Sequence, residues 1–142
     1  MAEAKERLIK SKERVRRNAE VYTPSWLVND MCDMLPHDAW DDIHRTFLEP
    51  SCGNGNFLVE ILARKLKLCD NVDDGISALQ SIFGIDILPD NVQESRDRMY
   101  GMFMDMFGPS LFALEVLRKN IVLGNFLAKQ HLDGTPIWFL QD

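Results

Sequence analysis

Residues 46–62 read TFLEPSCGNGNFLVEIL, and this stretch decides the fold. The apolar run that ends at Leu48 is typical of a short buried strand, and after the loop apolar residues recur at helical spacing. Gly53 and Gly55, the two glycines between these segments, let a backbone approach a ligand closely. The stretch therefore predicts a strand, a glycine loop and a helix that begins at Phe57.

The rest of the sequence alternates helical and strand patterns in the same way. Such alternation predicts an α/β fold with a mostly parallel sheet of about four strands and flanking helices. We expect Thr23 to cap a helix, and residues 71–75 to form a loop ahead of a short helical turn. Further strands are expected over 81–87, 121–123 and 137–140, and further helices over 24–35, 89–107 and 110–119.

Two of these helices carry an apolar stripe that we expect to face the core. In the helix over 24–35 the stripe consists of Leu27, Met31, Met34 and Leu35. In the helix over 89–107 it consists of Val92, Met99, Met102 or Phe103, and Met106.

The composition is that of a folded globular protein with one domain. The chain has 142 residues, of which 46% are hydrophobic and 27% charged, so global disorder and coiled coil are excluded. No apolar run approaches the roughly 18 residues of a membrane span, and no apolar signal core follows Met1. We therefore expect a cytoplasmic protein with no membrane contact. Its 3 cysteines fit neither a disulfide framework nor a zinc site, so reduced thiols and no metal are expected.

Charge is unevenly distributed along the chain. Residues 1–17 carry seven Lys and Arg against three Glu, a net charge of +4 that leaves −10 for the remainder of a chain whose total is −6. We divide the chain into a basic N-terminal arm or helix, 1–18, and one domain, 19–142. The arm predicts a contact with DNA or an acidic partner, or alternatively a solvated helix. The acidic body disfavours binding of a duplex over a broad face.

The predicted strands end in polar residues that favour a nucleoside ligand. Ligands of parallel α/β sheets bind at the carboxyl ends of the strands, which here carry Glu49, Asp86 and Asn125. The glycine loop has Leu58 where a dinucleotide fingerprint needs a third glycine or alanine, and no Walker Gly-Lys-Ser or Gly-Lys-Thr occurs. We therefore expect a neutral nucleoside-type ligand, with Asp86 accepting hydrogen bonds from two ribose hydroxyls.

Four segments, in order, resemble the motifs of one enzyme family. Residues 49–58, EPSCGNGNFL, resemble the first motif of the class I, S-adenosylmethionine-dependent, adenine-specific DNA methyltransferases of restriction-modification systems. Residues 21–24, VYTP, resemble that family's extra N-terminal cofactor motif, and residues 84–87, GIDI, resemble its ribose-binding motif. Residues 121–127, IVLGNFL, resemble the motif that follows. The resemblance implies a Rossmann-like class I methyltransferase fold, truncated after about four strands.

The resemblance also implies a cofactor site for S-adenosylmethionine. Its methionine side is expected at residues 22–24, and its amino-acid part at Glu49 and the backbone of 53–55. Asp86 is expected to bind the ribose, and Ile87 to pack on the adenine. Asn125 and Phe126 are expected to close the adenine pocket. The complete expected set is Tyr22, Thr23, Pro24, Glu49, Pro50, Cys52, Gly53, Asn54, Gly55, Asn56, Phe57, Asp86, Ile87, Asn125 and Phe126.

The sequence departs from the family pattern in two places. Asn125 stands where the family usually has Asp, and a neutral oxygen is a weaker acceptor. The family's catalytic Asp/Asn-Pro-Pro-aromatic motif is not found among the 142 residues, whose prolines are all isolated. That motif supplies the groups that hold the target amino group and stack on a flipped base. The catalytic residues of this chain are therefore unknown.

Three functions stay open on these observations. The chain could transfer methyl groups to DNA with unusual residues such as Asn125, Gln141 or Asp142, or with groups from a second chain. It could instead be a non-catalytic subunit that sequesters or senses S-adenosylmethionine, or a module that binds a restriction-modification protein. The apolar strand expected over 137–140 would form an uncovered sheet edge, which predicts a homodimer or heteromer through that edge.

Overall fold

The fold is built on a parallel sheet. A computed structural model describes residues 6–18 and 20–141 of the chain. Three parallel strands lie in the order of the chain: β1 (Phe47–Glu49), β2 (Ile82–Asp86) and β3 (Ile121–Asn125). A two-residue strand, β4 (Gln130–His131), adds an antiparallel edge next to β3. This confirms the expected α/β fold with a four-stranded, mostly parallel sheet and flanking helices.

Six helices accompany the sheet in the described part of the chain. Two precede β1, α1 (Lys12–Asn18) and α2 (Ser25–Asp33). Between β1 and β2 lie α3 (Asn56–Leu66) and α4 (Val72–Gln80), and between β2 and β3 lie α5 (Pro89–Phe107) and α6 (Leu111–Asn120). Parallel strands need a long crossover connection, and each crossover here contains two helices.

The main core lies between the sheet and helices α3 to α6. Its fully buried side chains come from all of these elements, and this packing fixes the positions of the loops that follow β1 and β2. The largest apolar side chains with no exposed surface are Leu58 and Leu62 on α3, Leu79 on α4, Met99 and Phe103 on α5, and Ile82 and Ile121 on the sheet.

The other face of the sheet is covered by the C-terminal segment, which corrects one prediction. The expected strand over 137–140 is wrong, because residues Trp138–Leu140 form a 3-10 turn. Ile137 is completely buried against Ile85 and Val122, so these apolar residues cover the second face of the sheet instead of extending it. A homodimer or heteromer was expected through the exposed edge of this strand, and residues Trp138–Leu140 offer no such strand edge.

Two further local predictions are wrong. Residues 72–75 belong to helix α4, where Asn71 is the N-cap and accepts a bond from the amide of Asp74. Gly75 serves close packing there, since a Cβ atom would lie 2.4 Å from the Phe107 ring. In α2 the N-cap is Pro24, with no side-chain cap, where Thr23 was expected.

The expected stripes on α2 and α5 also need correction. On α2 the buried side chains are Val28 and Cys32, whereas the members of the expected stripe exposed on the surface are Met31, Met34 and Leu35. On α5 Phe103 is buried and Met106 is exposed. Helix α2 packs on α3, and that contact selects a different face from the one with the most apolar residues. No helix in the described ranges is long and apolar enough to cross a bilayer.

Candidate functional site

A cleft of about 210 Å³ opens at the carboxyl ends of β1 and β2. Its walls come from the loops after these two strands and from the segment before α2. Ten of the fifteen residues expected at the cofactor line it: Tyr22, Thr23, Glu49, Cys52, Gly53, Asn54, Asn56, Phe57, Asp86 and Ile87. The fold thus brings motifs that are far apart in the sequence to one cleft. Ligand binding by these residues stays a prediction.

The loop after β1 is shaped by its glycines. Gly53 and Gly55 have φ angles of 53° and 96°, a left-handed conformation that other residues adopt only with strain. The amide of Cys52 donates to the Ile85 carbonyl at 2.8 Å, which ties the loop to β2. Gly55 lies against α5, since a Cβ atom there would be 2.9 Å from Ser95 Oγ. The loop therefore turns tightly enough to present its backbone to the cleft.

Asp86 joins the two loops. Its side chain is nearly buried, and Oδ2 accepts a hydrogen bond from the Gly53 amide at 2.9 Å. Oδ1 accepts from the Leu88 amide at 2.9 Å and from Asn91 Nδ2 at 3.3 Å. A carboxylate oxygen has two lone pairs, so Oδ2 keeps one for a ligand hydroxyl. Asp86 thus organises the cleft and has acceptor capacity left.

Acidic side chains give the cleft its electrostatic character. Glu20, Glu49 and Asp86 all line it. Burial raises the pKa of Glu49, while the Ser51 amide, which donates to it at 3.2 Å, opposes that rise. A site with several carboxylates repels phosphate groups and attracts cations and hydroxyl or amino donors. The site therefore suits a ligand that is neutral or positively charged.

Cys52 is not equipped to be a nucleophile. The thiol is buried, and burial together with the nearby Asp86 charge raises its pKa to about 12. Its Sγ atom lies 3.9 Å from Ser95 Oγ. A thiol with so high a pKa stays protonated near neutral pH, and the thiolate is the reactive form. Cys52 therefore contributes shape to the cleft.

Tyr22 connects the N-terminal segment to the glycine loop. Its ring is 5% exposed and lies beside Gly53, where a Cβ atom would be 3.1 Å from the ring. Its hydroxyl donates to Asn91 Oδ1 at 2.7 Å, and burial raises its pKa to about 12. Asn56 Nδ2 donates to the Thr23 carbonyl at 2.7 Å. The segment is therefore fastened to both ends of the loop.

Sequence reasoning missed five residues that line the cleft. They are Asn18, Glu20, Val21, Ser51 and Leu88. Glu20 carries the most interactions of the five, because it lies 2.8 Å from Arg14 Nε and accepts from Asn91 Nδ2 at 2.7 Å. No local pattern indicates this, since Asn91 is 71 positions away in the chain.

The other five expected residues lie outside the cleft lining: Pro24, Pro50, Gly55, Asn125 and Phe126. Asn125 Oδ1 accepts bonds from the amides of Leu127 and Ala128 at 3.0 and 3.3 Å, so it stabilises its own turn. Phe126 is 37% exposed. Their role in closing an adenine pocket stays a prediction.

Of the residues suggested as unusual catalytic groups, Asn125 and Gln141 are also away from the cleft lining. The side chain of Gln141 donates to the Ile137 carbonyl at 3.1 Å, within the C-terminal segment. Asp142 lies outside the described residues. Within the described ranges, no group of three or more His, Cys, Asp and Glu residues could hold a metal ion.

The basic residues of the N-terminal arm are only partly available to a partner. Arg14 Nη1 lies 2.6 Å from Asp90 Oδ2, and Lys10 Nζ lies 2.9 Å from the same oxygen. Arg17 pairs with Glu13 in an exposed contact on α1. Lys10 and Arg14 thus face acidic groups of the same chain, whereas Arg16 is exposed.

Comparison with known proteins supports a relationship to methyltransferases. Over 78 residues the chain is 36% identical to the type II methyltransferase M.VspI of Vibrio sp. (strain 343). The match covers 55% of this chain and 16% of that relative, so the chain matches about a sixth of the relative's length. No family model matches the chain, and no solved structure matches it. The similarity indicates a relationship to restriction-modification methyltransferases, and the α/β fold is compatible with it.

Proposed function

We propose that this chain binds S-adenosylmethionine in the cleft at the carboxyl ends of β1 and β2, within a Rossmann-like class I fold. The observation that carries the proposal is the Asp86 carboxylate, which lies against the left-handed Gly53 with an acceptor position left on Oδ2. A ribose hydroxyl can donate to that position. The similarity to a type II methyltransferase supports the choice of this cofactor.

The proposed ligand matches the charge of the cleft. S-adenosylmethionine carries a sulfonium and an ammonium group against one carboxylate, so it has a net positive charge near neutral pH. Glu49 and Glu20, which lie on the cleft wall, supply acceptors and negative potential for those cationic groups. The loop backbone can receive the methionyl part, and Ile87, which is 45% exposed, offers an apolar surface for the adenine ring.

Methyl transfer to an adenine of DNA is the reaction that we propose for the complete system. When bound, S-adenosylmethionine supplies an electrophilic methyl group. The residues of this chain bind and orient the cofactor, while the groups that hold the acceptor amino group come from a second polypeptide segment. The arm contributes to DNA binding through its exposed cations, such as Lys12 and Arg16.

A second candidate function is cofactor binding without catalysis. It is favoured by one observation: the side chains of Asn125 and Gln141 are engaged in hydrogen bonds of their own segments and do not line the cleft. In that case the chain sequesters or senses S-adenosylmethionine for a partner of a restriction-modification system. A methyl-transfer assay on adenine-containing DNA, with the polypeptide that supplies the acceptor-holding groups present, separates the two: transfer that is lost in Asp86→Asn supports the first candidate, and transfer that does not need this chain supports the second.

Calorimetric titration with S-adenosylmethionine tests the binding proposal. We expect the wild-type chain to bind one cofactor and Asp86→Asn to bind about tenfold more weakly or worse, because a hydrogen bond to a charged group contributes about 1.5–3 kcal/mol. Asp97→Asn is the matched control, since Asp97 is exposed on α5 and accepts from Gln93. Equal affinity in all three proteins would contradict the proposed site.

A further inference from the structure

Asn91 is the most heavily connected polar side chain beside the cleft, although it does not line it. It lies in the first turn of α5 and is completely buried. Its Nδ2 donates to Glu20 Oε2 at 2.7 Å and to Asp86 Oδ1 at 3.3 Å. Its Oδ1 accepts from Tyr22 Oη at 2.7 Å and from Lys10 Nζ at 2.9 Å. A single amide therefore joins four residues from three separate parts of the chain.

These four bonds use the full hydrogen-bonding capacity of the amide. An asparagine side chain has two donor hydrogens and two acceptor lone pairs, and each has a partner here. The opposite orientation of the amide would turn its oxygen toward two carboxylates and its NH2 group toward the Lys10 ammonium. The network therefore fixes one orientation, in which the donors face the acidic groups.

The partners of Asn91 belong to two functional units. Asp86 is the acid proposed for the ribose. Lys10, Glu20 and Tyr22 belong to the described residues 6–18 and 20–24, which we call the N-terminal strap. The strap forms one wall of the cleft and is held on α5 by the ion pairs of Lys10 and Arg14 with Asp90. Asn91 lies between the strap and Asp86 and contacts both.

We propose that Asn91 is a positioning residue that holds the Asp86 carboxylate in its ligand-binding orientation and couples it to the N-terminal strap. The ribose part of this inference rests on the proposed binding of S-adenosylmethionine. Asn91 and the Leu88 amide both donate to Oδ1 of Asp86, which leaves Oδ2 directed at Gly53 and the cleft. The same amide fastens Tyr22 beside the glycine loop, so ribose binding and ordering of the strap reinforce each other.

The test measures ribose discrimination in Asn91→Ala. Adenosine and 2′-deoxyadenosine compete with S-adenosylmethionine, and the ratio of their affinities reports the hydrogen bond between the ribose and Asp86. We expect the wild-type ratio of about ten to fall toward one in Asn91→Ala, because one hydrogen bond to a charged group corresponds to about tenfold in affinity. Gln93→Ala is the matched control, since Gln93 is exposed two positions further along α5.

A second measurement reports on the strap without any ligand. Trypsin cleavage after Lys10 and Arg14, whose side chains pair with Asp90, requires the strap to leave the body of the protein, so we expect Asn91→Ala to be cleaved at these two sites several-fold faster than wild type. Tyr22→Phe removes the hydroxyl that donates to Asn91 and keeps the ring beside Gly53. We expect it also to accelerate cleavage, and it serves in place of Asn91→Ala if that variant does not fold.

The outcomes distinguish this inference from the proposed function. If the wild-type chain binds the cofactor and Asn91→Ala binds both nucleosides more weakly with an unchanged affinity ratio, the positioning of Asp86 by Asn91 is overturned. That result leaves the proposed function intact. Unchanged cleavage in both variants would overturn the coupling to the strap. A wild-type chain that does not bind S-adenosylmethionine would overturn the proposed function and the ribose part of the inference, while cleavage still decides the coupling.

Discussion

At the scale of single residues, the glycine loop and the acid after β2 could be predicted because their chemistry is local. A Gly-x-Gly segment between a strand and a helix signals close backbone approach, and Gly53 and Gly55 do adopt left-handed conformations. Asn91 and Glu20 could not be predicted, because each is defined by partners from other parts of the chain. Only folding brings the amide of Asn91 to Asp86 and Glu20.

Two glycines in contrasting positions test the role of the left-handed conformation: Gly55 lies in the loop before α3, and Gly101 lies within helix α5. Gly55→Ala places a Cβ atom 2.9 Å from Ser95 Oγ at a φ of 96°, so we expect unfolding free energy to fall by about 1–3 kcal/mol. Gly101→Ala on α5 meets nothing within 4 Å, so we expect a gain of about 0.5–1 kcal/mol. Urea denaturation measures both, and a Gly55→Ala protein as stable as wild type would contradict the geometry.

At the scale of elements, the strands and long helices followed from their apolar patterns, whereas short segments did not. The run at 137–140 has the composition of a strand, but Ile137 is drawn into the space beside Ile85 and Val122 on the second face of the sheet. Helix α4 has two acidic residues and a glycine in its first turn, which resemble a loop in the sequence. The N-cap at Asn71 and the close packing of Gly75 on Phe107 stabilise the helical conformation of this segment.

Helix α3 carries a buried lysine that links it to the segment before β1. Lys65 is 2% exposed, and its Nζ donates to the carbonyls of Ile43 and Arg45 at 3.0 and 2.6 Å. Burial lowers its pKa to about 8, against 10.5 for an ordinary lysine. Between these values the unfolded chain binds more protons than the folded one, so this group makes stability rise with pH from about 8 to 10.5.

Comparison with Lys65→Met isolates this effect from other titrating groups. We expect the unfolding free energy of wild type, measured by urea denaturation from pH 8 to 10, to increase relative to that of Lys65→Met. The raised pKa of Cys52 acts in the opposite direction at high pH in both proteins, so it cancels in the difference. A difference that is constant or falls over this range would show that Lys65 is not deprotonated in the folded protein.

At the scale of the whole molecule, an acidic body with its carboxylates gathered in one cleft favours a cationic ligand. S-adenosylhomocysteine, the product of methyl transfer, has a neutral sulfur and lacks the positive charge of the sulfonium. We expect the cleft to bind S-adenosylmethionine more tightly than the product, and this preference to shrink as salt screens the charges. Titration of both compounds at low and high ionic strength measures the preference.

Glu49 provides the variant for that prediction. Glu49→Gln keeps the shape of the side chain and removes its charge, so both compounds should bind more weakly, because both carry the ammonium group. Binding of S-adenosylmethionine should weaken more, because it alone carries the sulfonium charge, so its preference over the product should decrease. Because burial raises the pKa of Glu49, the wild-type preference should also decrease as the pH is lowered and this carboxylate is protonated. A preference unaffected by Glu49→Gln, pH and salt would contradict an electrostatic origin.

The central claim is that one cleft, formed by the loops after β1 and β2 and by the N-terminal strap, holds S-adenosylmethionine. Hydrogen–deuterium exchange of the full chain with and without saturating cofactor tests this claim most directly, because it locates the binding site along the sequence. We predict slower amide exchange over residues 51–57, 86–88 and 20–23. Unchanged exchange in these three segments, or protection confined to other parts of the chain, would contradict the account.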